Sequence, residues 1–125
     1  MPTTHTCYAA IDIGSNAVRL LIKKVKEDET VLNKRLSKVL LLRVPLRLGF
    51  DVFSLGKVSE TKAVKLRRLM KAFRQLMKIY DVTNYRACAT SAMRDARNGK
   101  FIIKKILKDT GISIEVIDGQ EEARM

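Results

Sequence analysis

Residues 10–22 constrain the fold of this chain more than any other stretch of its sequence. Two apolar runs, 10–13 and 17–22, are joined by the tripeptide Gly14-Ser15-Asn16. Apolar runs on both sides of such a tripeptide predict two strands connected by a tight turn. The backbone N–H groups of this turn, together with its serine and asparagine side chains, then offer hydrogen-bond donors around one point. That arrangement is typical of a site for a phosphate oxygen.

Asp12 lies inside the first apolar run, just ahead of the turn. Ordinary turn chemistry can explain an aspartate and a glycine at a hairpin. An aspartate buried in an apolar strand, however, is rare without a partner or a task. Phosphate repels a carboxylate unless a divalent cation lies between them or the carboxylate positions a water molecule. The stretch therefore predicts a site for phosphate and a metal ion, with turn chemistry as the alternative.

The composition limits the class of protein. With 125 residues, of which 46% are hydrophobic and 30% charged, the chain is expected to form one globular domain with a modest core. No apolar run reaches the length of a membrane span, and residues 1–5 lack the features of a signal peptide, so we expect a cytoplasmic protein without a membrane partner. Cys7 and Cys88 fall in different predicted strands and are expected to be reduced, buried thiols.

The net charge of +12 predicts attraction to a polyanion. The positive charge would attract any of several anions, including nucleic acid, polyphosphate, nucleotides and acidic lipid. The sign of the charge alone therefore does not identify the partner. The aromatic content of 6% argues against stacking on single-stranded bases. The sequence also contains no helix-turn-helix, RNA-recognition or zinc-finger pattern, so nucleic acid is not the expected partner.

The first part of the chain is predicted to be a sheet followed by a long helix. Strands over 7–13, 17–26 and 31–44 follow one another closely, which favours an antiparallel meander. Residues 48–58 contain glycine, aspartate and serine and are predicted to form a loop. Ser59 then begins a helix over 60–80 with one apolar face. Its opposite face is either a solvated surface or a polyanion contact, and it carries Arg67, Lys71, Arg74 and Lys78.

The second part alternates strands and helices. A short strand over 85–89 precedes an amphipathic helix that starts near Phe101 and ends at Gly111. A final strand over 112–117 leads into 120–125, whose acidic residues suit the start of a helix. The predicted order is therefore βββ-α-β-α-β, an α/β fold in which helices pack on a mixed sheet.

Three separated stretches, 12–20, 89–99 and 117–124, together resemble the exopolyphosphatase / guanosine pentaphosphate phosphohydrolase (Ppx/GppA) family. The resemblance spans essentially the whole chain. It implies a ribonuclease-H-like domain of the superfamily that contains actin, the Hsp70 ATPase domain and sugar kinases. It also implies hydrolysis of a terminal phosphate of polyphosphate or guanosine pentaphosphate, with guanosine tetraphosphate as a related ligand and Mg²⁺ or another divalent cation as cofactor.

The resemblance implies a role for each matching residue. Asp12 would hold the metal ion or the attacking water, and Arg94 would contact phosphate from the end of its strand. Arg94 could instead form an ion pair with Asp95 or Glu121. The phosphate-binding set implied by the family is Gly14, Ser15, Asn16, Arg19, Thr90, Ser91 and Arg94.

The resemblance places the general base in the Glu121-Glu122 pair. Hydrolysis of a phosphoanhydride needs a group that orients or deprotonates an in-line water. Adjacent residues at a helix start point in different directions, so only one of the two can face the substrate. We favour Glu122 and keep Glu121 as the alternative. Without the resemblance, an acidic first helical turn would explain the pair equally well.

Proteins of this fold bind phosphates between two similar domains. The second phosphate loop of the family resembles Asp-Ile-Gly-Gly-Gly-Ser, and this sequence contains no such stretch. Residues 1–125 are therefore expected to be the N-terminal half of a longer enzyme, inactive alone, with a homodimer as one option for the full-length protein. The alternatives are a small-molecule kinase of the same fold and a non-catalytic module that binds polyanions or nucleic acid.

Overall fold

The computed structural model describes residues 5–26 and 35–118 of the chain. Its first three strands are β1 (His5–Ile13), β2 (Val18–Lys26) and β3 (Arg35–Val44). β2 pairs with both β1 and β3 in the antiparallel sense, and this confirms the predicted meander. The side chains of β1 alternate between the two faces of the sheet, because successive residues of a strand point in opposite directions.

Two further strands complete a five-stranded sheet in the order β3-β2-β1-β4-β5. β4 (Val82–Ala89) runs parallel to β1, and β5 (Ile114–Val116) runs parallel to β4. The mixed sheet is the one predicted, although β5 is shorter than expected. Because β1 and β4 are parallel, their carboxyl ends lie side by side at one edge of the sheet.

Two amphipathic helices cover one face of the sheet. In α2 (Glu60–Ile79), the Ser59 hydroxyl accepts a hydrogen bond from the N–H of Lys62 at 3.3 Å, so the predicted N-cap is confirmed. A later helix, Gly99–Thr110, ends at Gly111, whose φ of 78° is the left-handed conformation of a glycine C-cap. The sheet and these helices enclose one apolar core, whose fully or almost fully buried side chains include Ile11, Ile13, Leu20, Ile22, Leu66, Met70, Phe73, Ile102 and Ile106.

The prediction of a loop over 48–58 is wrong. Leu48–Leu55 forms a helix, α1, which ends at Gly56 with a φ of 72°. Glycine, aspartate and serine lower the helix propensity of this stretch, but tertiary contacts override propensity. Leu48 is completely buried in the core, and Asp51 is only 6% exposed. A second short helix that the sequence did not predict, α3 (Ser91–Asp95), precedes the Gly99–Thr110 helix, which is therefore α4.

Asp51 joins α1 to the start of α2. Its carboxylate accepts a hydrogen bond from the N–H of Ser59 at 3.0 Å and lies 2.7 Å from the Nζ of Lys62. Burial by itself would raise the pKa of Asp51. The hydrogen bonds from Lys62 and Ser59 outweigh burial and lower the pKa from 3.8 to about 2.

This ion pair predicts a pH-dependent contribution to stability. Since the pKa of Asp51 is lower in the folded chain, the ionised carboxylate stabilises the fold above about pH 4, and that stabilisation disappears as the pH falls towards 2. We expect Asp51→Asn to lower the free energy of unfolding by about 1–3 kcal/mol near neutral pH and by much less at about pH 2. Urea unfolding at both pH values measures this, with exposed Asp95→Asn as control. An equal loss at both pH values would contradict the assignment.

Within residues 5–26 and 35–118, no helix is long and apolar enough to cross a membrane. Cys7 lies on β1 and Cys88 on β4, and the two form no disulfide. Their strands are neighbours, but Cys7 is level with Val82, at the opposite end of β4 from Cys88. Cys88 is buried as expected, but Cys7 is only half-buried, so the expectation of two buried thiols is wrong for Cys7, and the reduced state of both stays a prediction.

Candidate phosphate-binding site

The candidate site lies where the carboxyl ends of β1 and β4 meet. The N–H of Thr90 donates to the carbonyl oxygen of Ile13 at 3.2 Å, which joins the residue after β4 to the last residue of β1. The hydroxyl oxygens of Ser15 and Ser91 lie 3.1 Å apart. Side chains from residues 76 positions apart in the sequence therefore meet at one point. Sites in α/β proteins commonly lie at this edge of a sheet.

An open depression of about 360 Å³ lies at this edge. It contains most of the predicted site residues, and Ser91 adjoins it through its contact with Ser15. The depression is lined by polar, charged and small residues, as expected of a surface that receives an anion. The lining residues are Asp12, Gly14, Ser15, Asn16, Ala17, Arg19, Arg43 and Thr90.

The backbone of the turn is held in place from two sides. The N–H of Gly14 donates to the carbonyl oxygen of Ala17 at 3.0 Å, so the expectation that the N–H groups of the turn all face the ligand is wrong for Gly14. The carbonyl oxygens of Ser15 and Asn16 accept hydrogen bonds from Gly49 and Arg47, each at 2.9 Å. The start of α1, which the sequence did not predict, is therefore what fixes the turn.

Gly49 is a position where the site depends on the absence of a side chain. A Cβ atom at Gly49 would lie 2.8 Å from the Cβ of Ser15, closer than two carbon atoms normally approach. The Cβ of Ser15 cannot rotate away, because it is attached directly to the backbone of the turn. The close approach of α1 to the turn therefore requires glycine at this position.

We expect Gly49→Ala to displace Ser15 and to lower phosphate release by the complete gene product about tenfold or more, since small displacements of positioning groups have large effects on rate. Initial rates of phosphate release measure the effect. Gly111→Ala is the matched control, because a Cβ at Gly111 meets no atom within 4 Å and Gly111 lies outside the depression. Equal activity in the two variants would show that the turn tolerates the displacement.

Asp12 is half-buried, so the expectation that it lies buried within an apolar strand is wrong. Its neighbours Ile11 and Ile13 point into the core, and alternation turns the Asp12 side chain to the opposite face of the sheet. There it lines the depression, directly across from Arg19 on β2. Turn chemistry does not explain this position, because Asp12 belongs to the strand and faces the candidate site.

The oxygen-bearing side chains that line the depression fit a divalent cation that is bound partly by the protein and partly by a phosphate of the substrate. Within the part of the chain that the structure describes, no three His, Cys, Asp or Glu residues form a group that could hold a metal ion. Asp12 is the acidic residue in the lining, accompanied by the hydroxyl groups of Ser15 and Thr90. Magnesium is commonly bound through one or two carboxylates together with water and substrate phosphates. Asp12 is therefore the residue that would hold it.

Arg94 does not line the depression. Its guanidinium donates to the carbonyl oxygen of Ile117 at 3.1 Å, and its Nε lies 3.6 Å from a carboxylate oxygen of Asp95. This geometry matches the alternative in which Arg94 pairs with Asp95. A contact between Arg94 and phosphate stays a prediction.

Glu121 and Glu122 lie outside the described residues. The described chain before them already runs close to the site, because the N–H of Ile117 donates to the carbonyl oxygen of Ala89 at 2.9 Å. Ala89 is the last residue of β4, and Thr90 follows it in the lining of the depression. The assignment of Glu122, or alternatively Glu121, as the general base stays a prediction.

The sequence analysis missed two lining residues, Ala17 and Arg43, of which Arg43 is the charged one. It lies on β3 directly across from Arg19 on β2. Its alternation with apolar neighbours in β3 was visible in the sequence. The register that brings it beside Arg19 was not, because a shift of one residue in strand pairing changes every cross-strand neighbour and the sequence pattern alone did not fix that pairing.

The chain is similar to known phosphatases over most of its length. The sequence model of the Ppx/GppA phosphatase family matches residues 22–125. The chain is 34% identical to a bifunctional 3-dehydroquinate synthase/phosphatase of Fusobacterium nucleatum over 92% of the chain and 18% of that protein. It is 29% identical to exopolyphosphatase 1 of Mycobacterium tuberculosis over 92% of the chain and 32% of that protein. The chain therefore spans a third or less of the length of these relatives.

Solved structures show the same fold. The Aquifex aeolicus member of the Ppx/GppA family superimposes with a TM-score of 0.87 at 29% identity, covering 97% of this chain and 38% of that one. An exopolyphosphatase from Cytophaga hutchinsonii superimposes with a TM-score of 0.83 at 29% identity, covering 95% and 36%. The expected α/β fold, a mixed sheet with packed helices as in actin-like ATPases, is thereby confirmed.

Proposed function

The chain belongs to the Ppx/GppA phosphatase family, and from this we propose that it forms one wall of an active site that hydrolyses a terminal phosphoanhydride bond. The observation that carries the proposal is the depression at the joined ends of β1 and β4, where one carboxylate, two arginines and two hydroxyl groups face the same space. Positive charge and hydroxyl donors suit a phosphate group, and a nearby carboxylate suits a metal ion or a water molecule.

Each side chain has a separate task in this mechanism. The Ser15 and Thr90 hydroxyls donate hydrogen bonds to oxygens of the phosphate that is cleaved, and Arg19 offsets its charge. Asp12 orients the water or holds the divalent cation. A bound Mg²⁺ would supply further positive charge at the phosphate oxygens. Glu122, or Glu121 in the alternative, accepts a proton from the attacking water.

The substrate that we propose is inorganic polyphosphate, with guanosine pentaphosphate as the second candidate. The name of the Mycobacterium tuberculosis relative, exopolyphosphatase 1, supports the first choice. If the substrate is guanosine pentaphosphate, the enzyme acts in the stringent response. Both substrates have a terminal phosphate that can bind beside the positively charged side chains of the depression.

We also propose that a second domain supplies the opposite wall of the cleft. The chain spans 32% of the mycobacterial relative and 38% of the Aquifex structure, which leaves room for such a domain in proteins of this family. A homodimer of the complete protein remains part of this proposal through the family resemblance. The thiols of Cys7 and Cys88, which are not joined in a disulfide, support a cytoplasmic location.

The test is an assay of phosphate release from polyphosphate and from guanosine pentaphosphate, with and without magnesium. The complete gene product is compared with residues 1–125 alone. We expect release that depends on the divalent cation from the complete product, and little or none from residues 1–125, because half of a cleft leaves the substrate exposed to water. The absence of release from the complete product would overturn the proposed function.

The charge of the chain favours one other function, a module that binds polyanions without hydrolysing them. In that case the complete gene product releases no phosphate but binds random DNA and polyphosphate with equal affinity and a steep salt dependence. A kinase of the same fold would instead transfer phosphate only when an acceptor molecule is present. The same assay, repeated with and without a sugar acceptor, separates these outcomes.

A further inference from the structure

Two arginines lie directly opposite each other at the rim of the depression. Arg19 on β2 pairs with Arg43 on β3, and across its other edge it pairs with Asp12 on β1. Residues that pair across neighbouring strands project from the same face of a sheet. Asp12, Arg19 and Arg43 therefore form a row across three strands, and all three line the depression.

The pairing of Arg19 with Arg43 costs stability. Like charges placed directly across two strands repel each other. Within residues 5–26 and 35–118, neither guanidinium has an ion-pair partner, whereas Arg67 pairs with Asp109 at 2.8 Å and Arg86 pairs with Glu115 at 3.7 Å. Natural sequences keep such local conflicts mainly where a function requires them. An anion that lies over both arginines would remove the repulsion.

The row is longer than one phosphate group. Neighbouring strands lie about 4.8 Å apart, so Arg43 lies about 10 Å from Asp12 along the row. A phosphate held beside Asp12, Ser15 and Thr90 would lie at the end of the row opposite Arg43, with Arg19 between them. A chain of linked phosphates that extends from that position across β2 passes Arg19 first and Arg43 next.

We propose that Arg43 binds a phosphate of the substrate that is several groups away from the cleaved bond, and that it thereby favours long polyphosphate over short phosphate chains. This inference rests on the proposed function and assigns a substrate contact to a residue on β3. Arg43 acts on binding of the chain, so its removal should change KM for long substrates and leave the chemical step unchanged.

The test compares Arg43→Gln with the wild-type complete gene product on long-chain polyphosphate and on tripolyphosphate. Glutamine keeps a polar, flexible side chain, although a shorter one, and removes the charge. We expect the KM for long chains to rise about tenfold, the effect of one lost charge-assisted contact, with kcat for long chains unchanged and with a much smaller rise of the KM for tripolyphosphate. Arg43→Lys, which keeps the charge, should recover most of the affinity.

The control is Arg86→Gln, because Arg86 lies on β4 of the same sheet but pairs with Glu115 and does not line the depression. Its KM for long chains should not change. A structural role for Arg43 would lower the melting temperature of Arg43→Gln, whereas relief of the repulsion with Arg19 should leave it unchanged or higher.

The outcomes separate this inference from the proposed function. If the wild type releases phosphate from both substrates but Arg43→Gln alters both equally, or alters neither, the role of Arg43 is refuted and the proposed function stands. A lower melting temperature combined with weaker binding of both substrates also refutes it. If the wild type releases phosphate from neither substrate, the proposed function itself fails.

Discussion

Glu122→Gln in the complete gene product is expected to lower kcat for phosphate release by about 10²–10⁴-fold, the usual contribution of a general base. Glutamine preserves the shape of glutamate but cannot accept a proton from water. The substrate is held mainly by the groups that line the depression, so KM should change little. Steady-state kinetics on polyphosphate with saturating magnesium measure both constants.

The matched control for this prediction is the neighbouring substitution Glu121→Gln. It removes the same charge from the same short stretch, so a general electrostatic effect of the acidic pair would appear in both variants. We expect Glu121→Gln to retain most of the activity. The opposite result, with loss only in Glu121→Gln, would assign the base to Glu121, and wild-type rates in both variants would exclude the pair from catalysis.

Gly99→Ala is expected to destabilise the chain more than alanine at any other glycine in the described residues. A Cβ at Gly99 would overlap the carbonyl oxygen of Met93, which belongs to the backbone of α3 and cannot rotate away. Either α3 or the start of α4 must move, and both are part of the packed core. Forced overpacking of this kind costs about 3 kcal/mol, at the upper end of the usual range.

Urea unfolding of Gly99→Ala beside Gly111→Ala tests this prediction. Gly111 has a positive φ of 78° but no atom within 4 Å of the added Cβ, so its variant reports backbone strain alone, about 1 kcal/mol. Gly99 has no positive φ, so the loss in Gly99→Ala reports the steric overlap directly, and it should exceed the loss in Gly111→Ala. If Gly111→Ala is destabilised as much as Gly99→Ala, the overlap at Gly99 costs no more than backbone strain, and the expected ranking of the glycines is wrong.

Several elements could be predicted because their signals are local. The Ser59 N-cap, the apolar face of α2 and the Gly111 C-cap are all contained within a few turns of helix. The strands on both sides of Gly14-Ser15-Asn16 could be predicted for the same reason, because two apolar runs joined by a short turn are typical of a β-hairpin. Helix α1 could not, because its helical state depends on tertiary contacts, namely burial of Leu48 in the core and pairing of Asp51 with Ser59 and Lys62 at the start of the next helix.

The residues of the candidate site also fall into two groups, those that the sequence could predict and those that it could not. The turn and the Asp12 that precedes it could be predicted from local sequence, and the resemblance of three stretches to one family implied that Thr90 and Ser91 line the same phosphate site. The contacts of the two arginines became visible only in the folded chain: Arg43 lines the depression, and Arg94 donates to the carbonyl oxygen of Ile117. Motifs specify the residues within them, whereas strand register and helix packing depend on contacts between residues far apart in the chain, and these contacts form only when the whole sheet assembles.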